Sequence, residues 1–338
     1  MRYERVHIQA IEVYDPPVEL TTAALERTLS PLYRRIGIPE RVIESLTGVA
    51  ARRFWAEGAS PSAAAGEVSR RLLEREGVPR ERIGAVVSTS VSKEFLEPPI
   101  ASLISGELGL GEHCANFDVG HACLGFMTGM TTVANLIELG QIEYGLVVAG
   151  ESSRAVTDAT VRRLLQPGVD FRTFGENLAT LTLGSMAVAA LLVHERHSKH
   201  GHQFLGGISL AATQHSGLCL GTATEMKTDA TTLLREGVAL AKRTYAAVQS
   251  ELDFVPAEVT EFVLHQVGKA NHDTLVRELA LPVDRTLRLY PTHGNVGAAG
   301  VPLTLATAVS QGRVQPGELA LLMGIGSGLN CTMMGVRW

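Results

Sequence analysis

With 338 residues, 45% of them hydrophobic, the chain can bury a large core, either as one big domain or as two fused halves. A formal net charge of −5 and the lack of a basic stripe give no electrostatic case for nucleic acid. The charged start Met1-Arg2-Tyr3-Glu4-Arg5 has no signal-peptide core, apolar runs such as Ala187 to Val193 are too short to span a bilayer, and the cysteines (Cys114, Cys123, Cys219, Cys331) form no Cys-x-x-Cys pair, so a cytoplasmic protein without a disulfide framework or zinc site is expected.

The first strand is predicted over Val6 to Val13. A helix follows over Thr22 to Ile36, capped by Thr21 or Thr22. Ala59-Ser60-Pro61-Ser62 is a strong helix start, because proline is tolerated in a first turn. That helix is expected to reach Glu76 and stop at Gly77. Ile83 to Thr89 reads as a buried strand, Pro99 to Leu108 as a helix and Gly145 to Gly150 as another buried strand. Within this series Phe117-Asp118-Val119-Gly120-His121-Ala122-Cys123-Leu124-Gly125-Phe126 passes from a strand-like piece into a helical pattern. Phe126, Met127, Met130, Val133, Ala134 and Ile137 recur there at steps of three and four. A thiol at a helix start feels the positive end of the macrodipole, which favours thiolate. Small neighbours (Gly120, Ala122, Gly125) leave room for a substrate carbonyl. Cys123 is therefore read as a nucleophile, against the plainer reading of a small buried hydrophobe.

The chain then repeats itself. Val78 to Val87 resembles Val255 to Leu264, Leu139 to Gly150 resembles Gln311 to Leu322, and Gly184 to Val188 resembles Gly328 to Thr332. Three echoes in one order predict two copies of one α/β unit. The first copy carries an insert of roughly Ser152 to Thr180. Sites in α/β folds gather at the carboxyl ends of strands. Those positions hold Cys123 in the first half and His265 and Asn295 in the second. His265 ends the strand-like Phe262-Val263-Leu264, and Asn295 sits in the turn His293-Gly294-Asn295-Val296-Gly297. A structural histidine and simple turn duty are the plainer readings of these two. Gly324-Ile325-Gly326-Ser327-Gly328 is followed by an extended run and not a helix, which argues against a dinucleotide site. Together the groups suit acyl transfer through a thioester. Cys123 would take the acyl group, and backbone amides of Cys123, Gly326 and Ser327 would hold the oxyanion. His265 and Asn295 would hold an enolate oxygen, the job that separates carbon–carbon condensation from hydrolysis.

Asp118-Val119 to Cys123-Leu124-Gly125-Phe126, Leu264-His265-Gln266, Gly294-Asn295-Val296-Gly297-Ala298-Ala299 and Gly324 to Gly328 together resemble the thiolase superfamily, in its ketoacyl synthase III branch. The resemblance covers essentially the whole chain. It implies an α/β thiolase fold: two duplicated halves stacked as five layers (αβαβα), with residues 1–195 the N-terminal half, 152–180 its capping insert, and 196–338 the C-terminal half. It also implies a Cys123–His265–Asn295 triad, coenzyme A thioesters as substrates, and no permanently bound cofactor or metal.

Condensing two ordinary acyl thioesters requires a base for the α-proton. Glu97, between Leu96 and Pro98-Pro99, is in a setting where desolvation would make it a better base. Its plainer reading is a solvated loop carboxylate. With Ala50 to Trp55 and the Gly324–Asn330 ending, the surrounding sequence is similar to the OleA-type enzymes of bacterial olefin biosynthesis. That resemblance implies head-to-head, non-decarboxylative condensation of two long-chain acyl-CoAs, an obligate homodimer with Glu97 supplied by the partner, and possible downstream pathway enzymes. The chain departs from initiation ketosynthases at Leu46 and Val42, where an Arg and a Trp usually grip coenzyme A, so the coenzyme-A-binding residues stay unassigned. The rivals are a decarboxylating ketoacyl synthase III or an acyltransferase, a silent lipid-binding scaffold, and a cysteine hydrolase using Gly120 to Leu124 as an elbow. His121 is read as packing. His194, His197, His200 and His202 are read as a surface turn and not a metal site. Arg34-Arg35, Arg70-Arg71 and Arg162-Arg163 are read as solvated helix faces, and Cys114, Cys219 and Cys331 as packing residues.

Overall fold

The computed structural model describes residues 1–252 and 254–338. Local signals place most elements. Thr21 caps helix Thr22–Ile36, its hydroxyl accepting the Ala24 N–H at 3.2 Å, and Ser60 caps Pro61–Glu76 through the Ala63 N–H at 3.1 Å. The second helix ends as expected, with Gly77 left-handed at φ 60°. Helix Ile100–Leu108 begins one residue later than predicted, because Pro99 serves as its N-cap.

Nine strands form one mixed sheet. Their order is Val259–Leu264, Leu319–Gly326, Asn330–Arg337, Gln203–Ala211, Val6–Tyr14, Met186–His194, Tyr144–Glu151, Ile83–Ser88, Ala115–Asp118. Strand Ile83–Ser88 runs parallel to both its neighbours, and Val259–Leu264 runs parallel to Leu319–Gly326. His7↔Gln203 pairs Val6–Tyr14 with Gln203–Ala211, and Arg2↔Gly206 and the Tyr3 N–H to the Leu205 carbonyl continue this junction, so the two half-sheets meet at a seam. The sequence echoes fall on equivalent parts. Short turns Arg80–Arg82 and Pro256–Glu258 each lead into a parallel strand, and helices Gly125–Glu138 and Gly300–Ser310 each lead into the next.

Side-chain alternation sorts the layers. Val147 and Ala149 face a central cluster, while Leu146 and Val148 face an outer one. In the second half Ala320 and Leu322 face the same central cluster, and Leu319, Leu321 and Met323 face a third. Helices Gly125–Glu138 and Gly300–Ser310 fill the centre with Phe126, Met130, Val133, Val301 and Leu305. Helices Pro61–Glu76 and Ile100–Leu108 cover one outer face, and Ala230–Glu251 with Lys269–Glu278 cover the other. The result is αβαβα.

Helices Arg154–Leu164 and Phe171–Asn177, from the expected insert, pack on Thr22–Ile36 through Leu25, Leu29, Tyr33, Leu164 and Phe174. Two arginines read as solvated fasten this cap. Arg35 donates to the carbonyl of Gln166 at 2.8 Å, and Arg163 donates to Asn177 Oδ1 at 2.7 Å. Arg70 and Arg71 do pair on their helix surface, with Glu67 and Glu74. Among the described residues no helix is long and apolar enough to cross a membrane.

The layering predicts where truncation hurts. Leu322→Ala, at 1% exposure in the central cluster, is expected to lower the urea-unfolding free energy by about 2–5 kcal/mol. Leu139→Ala, at 73% exposure, is expected to change it by less than about 0.5 kcal/mol. Equal losses would contradict the assignment of layers.

Candidate active site

Strand Ala115–Asp118 is followed by a 3₁₀ turn, Ala122–Leu124, and then helix Gly125–Glu138. Ala122 has φ 44°, a left-handed value that a side chain resists by about 1–3 kcal/mol. The strained turn presents Cys123 at the helix start. His121 braces it, with Nδ1 2.7 Å from Thr128 Oγ1 on the following helix, in keeping with a packing role. The Gly326–Ser327 end of strand Leu319–Gly326 lies against the same turn. A Cβ at Gly324 would sit 2.4 Å from Leu124 Cδ2, and one at Gly326 would sit 3.1 Å from Leu124 Cγ. Glycine at both positions lets the strand pack closely on Leu124, which brings the proposed oxyanion backbone beside the nucleophile.

His265 is the first residue past strand Val259–Leu264, and its N–H donates to the Met323 carbonyl at 2.8 Å. It is buried, and neither ring nitrogen has a hydrogen-bond partner among the described residues. The two helix starts face each other across the seam. A Cβ at Gly125 would meet Ala298 Cβ at 3.5 Å, and one at Gly300 would meet His265 Nδ1 at 3.1 Å. Asn295 is held by its backbone, its N–H donating to Thr182 O (2.9 Å) and its carbonyl accepting the Gly184 N–H (2.8 Å). Its Oδ1 accepts the Gly297 N–H at 3.0 Å, which fixes the amide and leaves its NH₂ uncommitted. The duplicated fold therefore gathers Cys123, His265, the Asn295 turn and the Gly326–Ser327 loop around one seam.

The electrostatics differ from the expectation of a thiolate. Burial pushes the Cys123 thiol up to about 12, with Glu151 and Cys219 adding to the rise. Cys123 retains some accessible surface, but the surrounding protein outweighs the dipole of the helix start. Burial likewise lowers His265 to about 4, so its imidazole is neutral at pH 7. Glu151 escaped the sequence reading, which ended its strand at Gly150. It is buried, its pKa raised by burial, and its oxygens accept the N–H groups of Val91 (3.0 Å), Ser92 (3.1 Å) and Ala298 (3.2 Å) and the Ser92 hydroxyl (3.0 Å). An acid directly after a buried apolar strand was the signal available. Cys219, read as packing, also bears on the nucleophile, whereas Cys114 and Cys331 are buried.

Glu97 is not brought to this centre by its own chain. It is exposed and makes no hydrogen bond or ion pair among the described residues. The burial expected of it is absent in this chain. Its neighbours Phe95 and Leu96 are 54% and 99% exposed, an apolar tip left uncovered. Among the histidines of 194–202, His200 stacks on His202 at 5.6 Å. His202 is buried and stacks on Trp338 at 4.1 Å, and His197 stacks on Tyr144 at 5.1 Å. Among the described residues no group of three or more His, Cys, Asp or Glu could hold a metal ion.

A strained cysteine turn, a neutral histidine and an asparagine at the seam of a duplicated fold define a thiolase-fold condensing enzyme. Residues 117–206 match the 3-oxoacyl-[acyl-carrier-protein (ACP)] synthase III family, and residues 250–338 match its C-terminal part. The chain is 37% identical to the acyl-CoA:acyl-CoA alkyltransferase of Xanthomonas campestris pv. campestris over 338 residues, the whole of both chains. It therefore belongs to the OleA family of acyl-CoA:acyl-CoA alkyltransferases. Among solved structures, a cysteine-to-serine OleA of Xanthomonas campestris with bound lauric acid and lauroyl-CoA has TM-score 0.97 at 36% identity, covering 99% of this chain and 100% of that one. A 3-oxoacyl-(acyl carrier protein) synthase III of Xanthomonas oryzae pv. oryzae has TM-score 0.97 at 38% identity, covering 100% of both.

The raised thiol predicts sluggish alkylation. At pH 8, iodoacetamide is expected to modify Cys123 at least about a hundredfold more slowly than a free cysteine of pKa about 8.5, with a rate that keeps rising as pH increases. Peptide mass analysis scores Cys219 separately. A plateau near pH 7 would mean that the thiolate is already formed.

Proposed function

We propose that the chain joins two long-chain acyl-CoA molecules by non-decarboxylative Claisen condensation, giving a 2-alkyl-3-oxoalkanoic acid for head-to-head hydrocarbon synthesis. The observation that carries this is the pair of uncommitted hydrogen-bonding groups, the His265 ring and the Asn295 amide, set at one seam with Cys123. Acyl transfer alone needs an oxyanion site for the attacked carbonyl. A second donor set suits a second thioester oxygen that becomes an enolate.

In the first step the Cys123 sulfur forms a bond to the acyl carbon, the bond to coenzyme A sulfur breaks, and the thiol proton leaves with coenzyme A. No net proton is gained or lost, so a thiol that stays protonated at rest suits this exchange. A neutral His265 can pass that proton. In the second step Glu97 of the partner subunit removes the α-proton of a second acyl-CoA. His265 and Asn295 hold the enolate oxygen while the carbon attacks the acyl-Cys123 carbonyl. The carbon–sulfur bond to Cys123 breaks, and the proton on Glu97 restores the thiol. Water then cleaves the remaining thioester, releasing coenzyme A and the oxo acid.

The uncovered Phe95–Leu96 tip beside Glu97 supports an obligate homodimer in which this arm crosses to the neighbour. Residues 1–195 with the cap 152–180, and residues 196–338, form the two halves. The reading takes coenzyme A thioesters as substrates with no permanent cofactor, a cytoplasmic location, and enzymes downstream that consume a 3-oxo acid.

With myristoyl-CoA as sole substrate, mass analysis is expected to find the 2-alkyl-3-oxo acid. Cys123→Ala should form no acyl-enzyme. Glu97→Gln should acylate normally but condense about 10²- to 10⁴-fold more slowly. A product that appears only when a malonyl donor is added would make the enzyme a decarboxylating synthase.

A further inference from the structure

Glu151 is a buried acid to which the reaction above assigns no part. A carboxylate away from water needs donors, and four reach this one, the Ser92 hydroxyl being shared with the Ser152 carbonyl at 2.9 Å. Two are the backbone N–H groups of Val91 and Ser92, one is the Ser92 hydroxyl, and one is the N–H of Ala298. These donors belong to two separate functional segments. Val91 and Ser92 are the root of the 91–99 arm whose tip carries Glu97, and Ala298 lies in the turn whose Gly297 N–H fixes the Asn295 amide.

The rest of the arm is anchored as well. Lys93 Nζ is 2.7 Å from Asp118 Oδ2, and Glu94 Oε1 accepts the Ser62 N–H at 2.8 Å. Asp118 also accepts the N–H groups of Ile100 and Ala101 at 3.1 and 3.0 Å, where the arm ends. The Ser92 hydroxyl in addition accepts the Ser152 N–H at 3.0 Å, so the root is tied to the end of strand Tyr144–Glu151 on both sides. These contacts anchor the arm at both ends, and residues 95–99, with Glu97 among them, are exposed between the anchors.

We propose that Glu151 is a positioning residue that couples the two active sites of the dimer, orienting its own subunit's Asn295 turn and, through the arm, the Glu97 that serves the partner. The proposal rests on the reading of Glu97 as a base supplied in trans. An amide at position 151 keeps the shape but turns an NH₂ group toward N–H donors, which loosens the arm root or the turn.

The test uses heterodimers of the full chain, purified through two different tags. In the parent, one subunit carries Cys123→Ala and the other Glu97→Gln, so a single site remains, with Cys123 from one chain and Glu97 from the other. Glu151→Gln is then added to the Cys123→Ala subunit, which donates the arm. Acyl-enzyme formation on the other subunit is expected at the parent rate, while condensation of myristoyl-CoA falls about a hundredfold, as for a base displaced by about 1 Å. Ser92→Ala in the same subunit removes one donor without placing a new group, and should lower condensation several-fold with acylation unchanged. It decides the matter if the Glu151→Gln subunit does not fold. Condensation at the parent rate in the folded variant overturns the proposal and leaves the base assignment standing. An inactive parent heterodimer overturns the base assignment in trans, and the proposal with it.

Discussion

The active-site seam is a place where burial keeps two reactive groups uncharged. Desolvation holds the Cys123 thiol protonated and the His265 imidazole neutral. A neutral imidazole with no partner suits the role of hydrogen-bond donor to an oxygen that gains charge, and it is a poor permanent base. In the proposed reaction removal of an α-proton then falls to a carboxylate, and Glu151, buried beside Cys123, is already engaged with three backbone N–H groups and the Ser92 hydroxyl. The proposed reaction therefore draws its base, Glu97, from a second copy of the chain. An exposed arm with an apolar tip and a glutamate is a means of bringing it in.

The duplication explains why such a seam exists. Each half delivers a parallel strand and then a buried helix to the same central layer, so two helix starts meet where Cys123 and the Asn295 turn lie. The central helices bury most of their apolar residues between the half-sheets, while Gly125–Glu138 keeps a polar stripe of Thr128, Thr131, Asn135 and Glu138. Glu151 and Asn295 Oδ1 are hydrogen-bonded at that depth, while the His265 ring nitrogens have no partner among the described residues. In this fold the packing that stabilises the chain also dries the site.

Much of this was legible in the residues. Helix limits at Thr21, Ser60 and Gly77 follow from caps that act within a few positions. Cys123, His265 and Asn295 stood out because strand ends and glycine turns leave local marks. The long-range partners left none. Glu151 binds Val91 and Ser92, some sixty positions away, and Ala298, farther still, so its role depends on the assembled sheet. Arg35 and Arg163 sit in doubled pairs that look solvated, yet Arg35 reaches from helix Thr22–Ile36 to Gln166 of the insert and Arg163 reaches Asn177 within it. The dipole argument for a Cys123 thiolate was local and sound, but burial supplied by distant segments outweighs it.

The account depends on Glu97 working against a cysteine of the other subunit. A Glu97→Cys variant, mildly oxidised and run on a non-reducing gel, tests this directly. The account predicts a disulfide between the new thiol and the neighbour's Cys123, seen as a covalent dimer that disappears when Cys123→Ala is added. A monomer, whether uncrosslinked or closed by a disulfide within one chain, would contradict it.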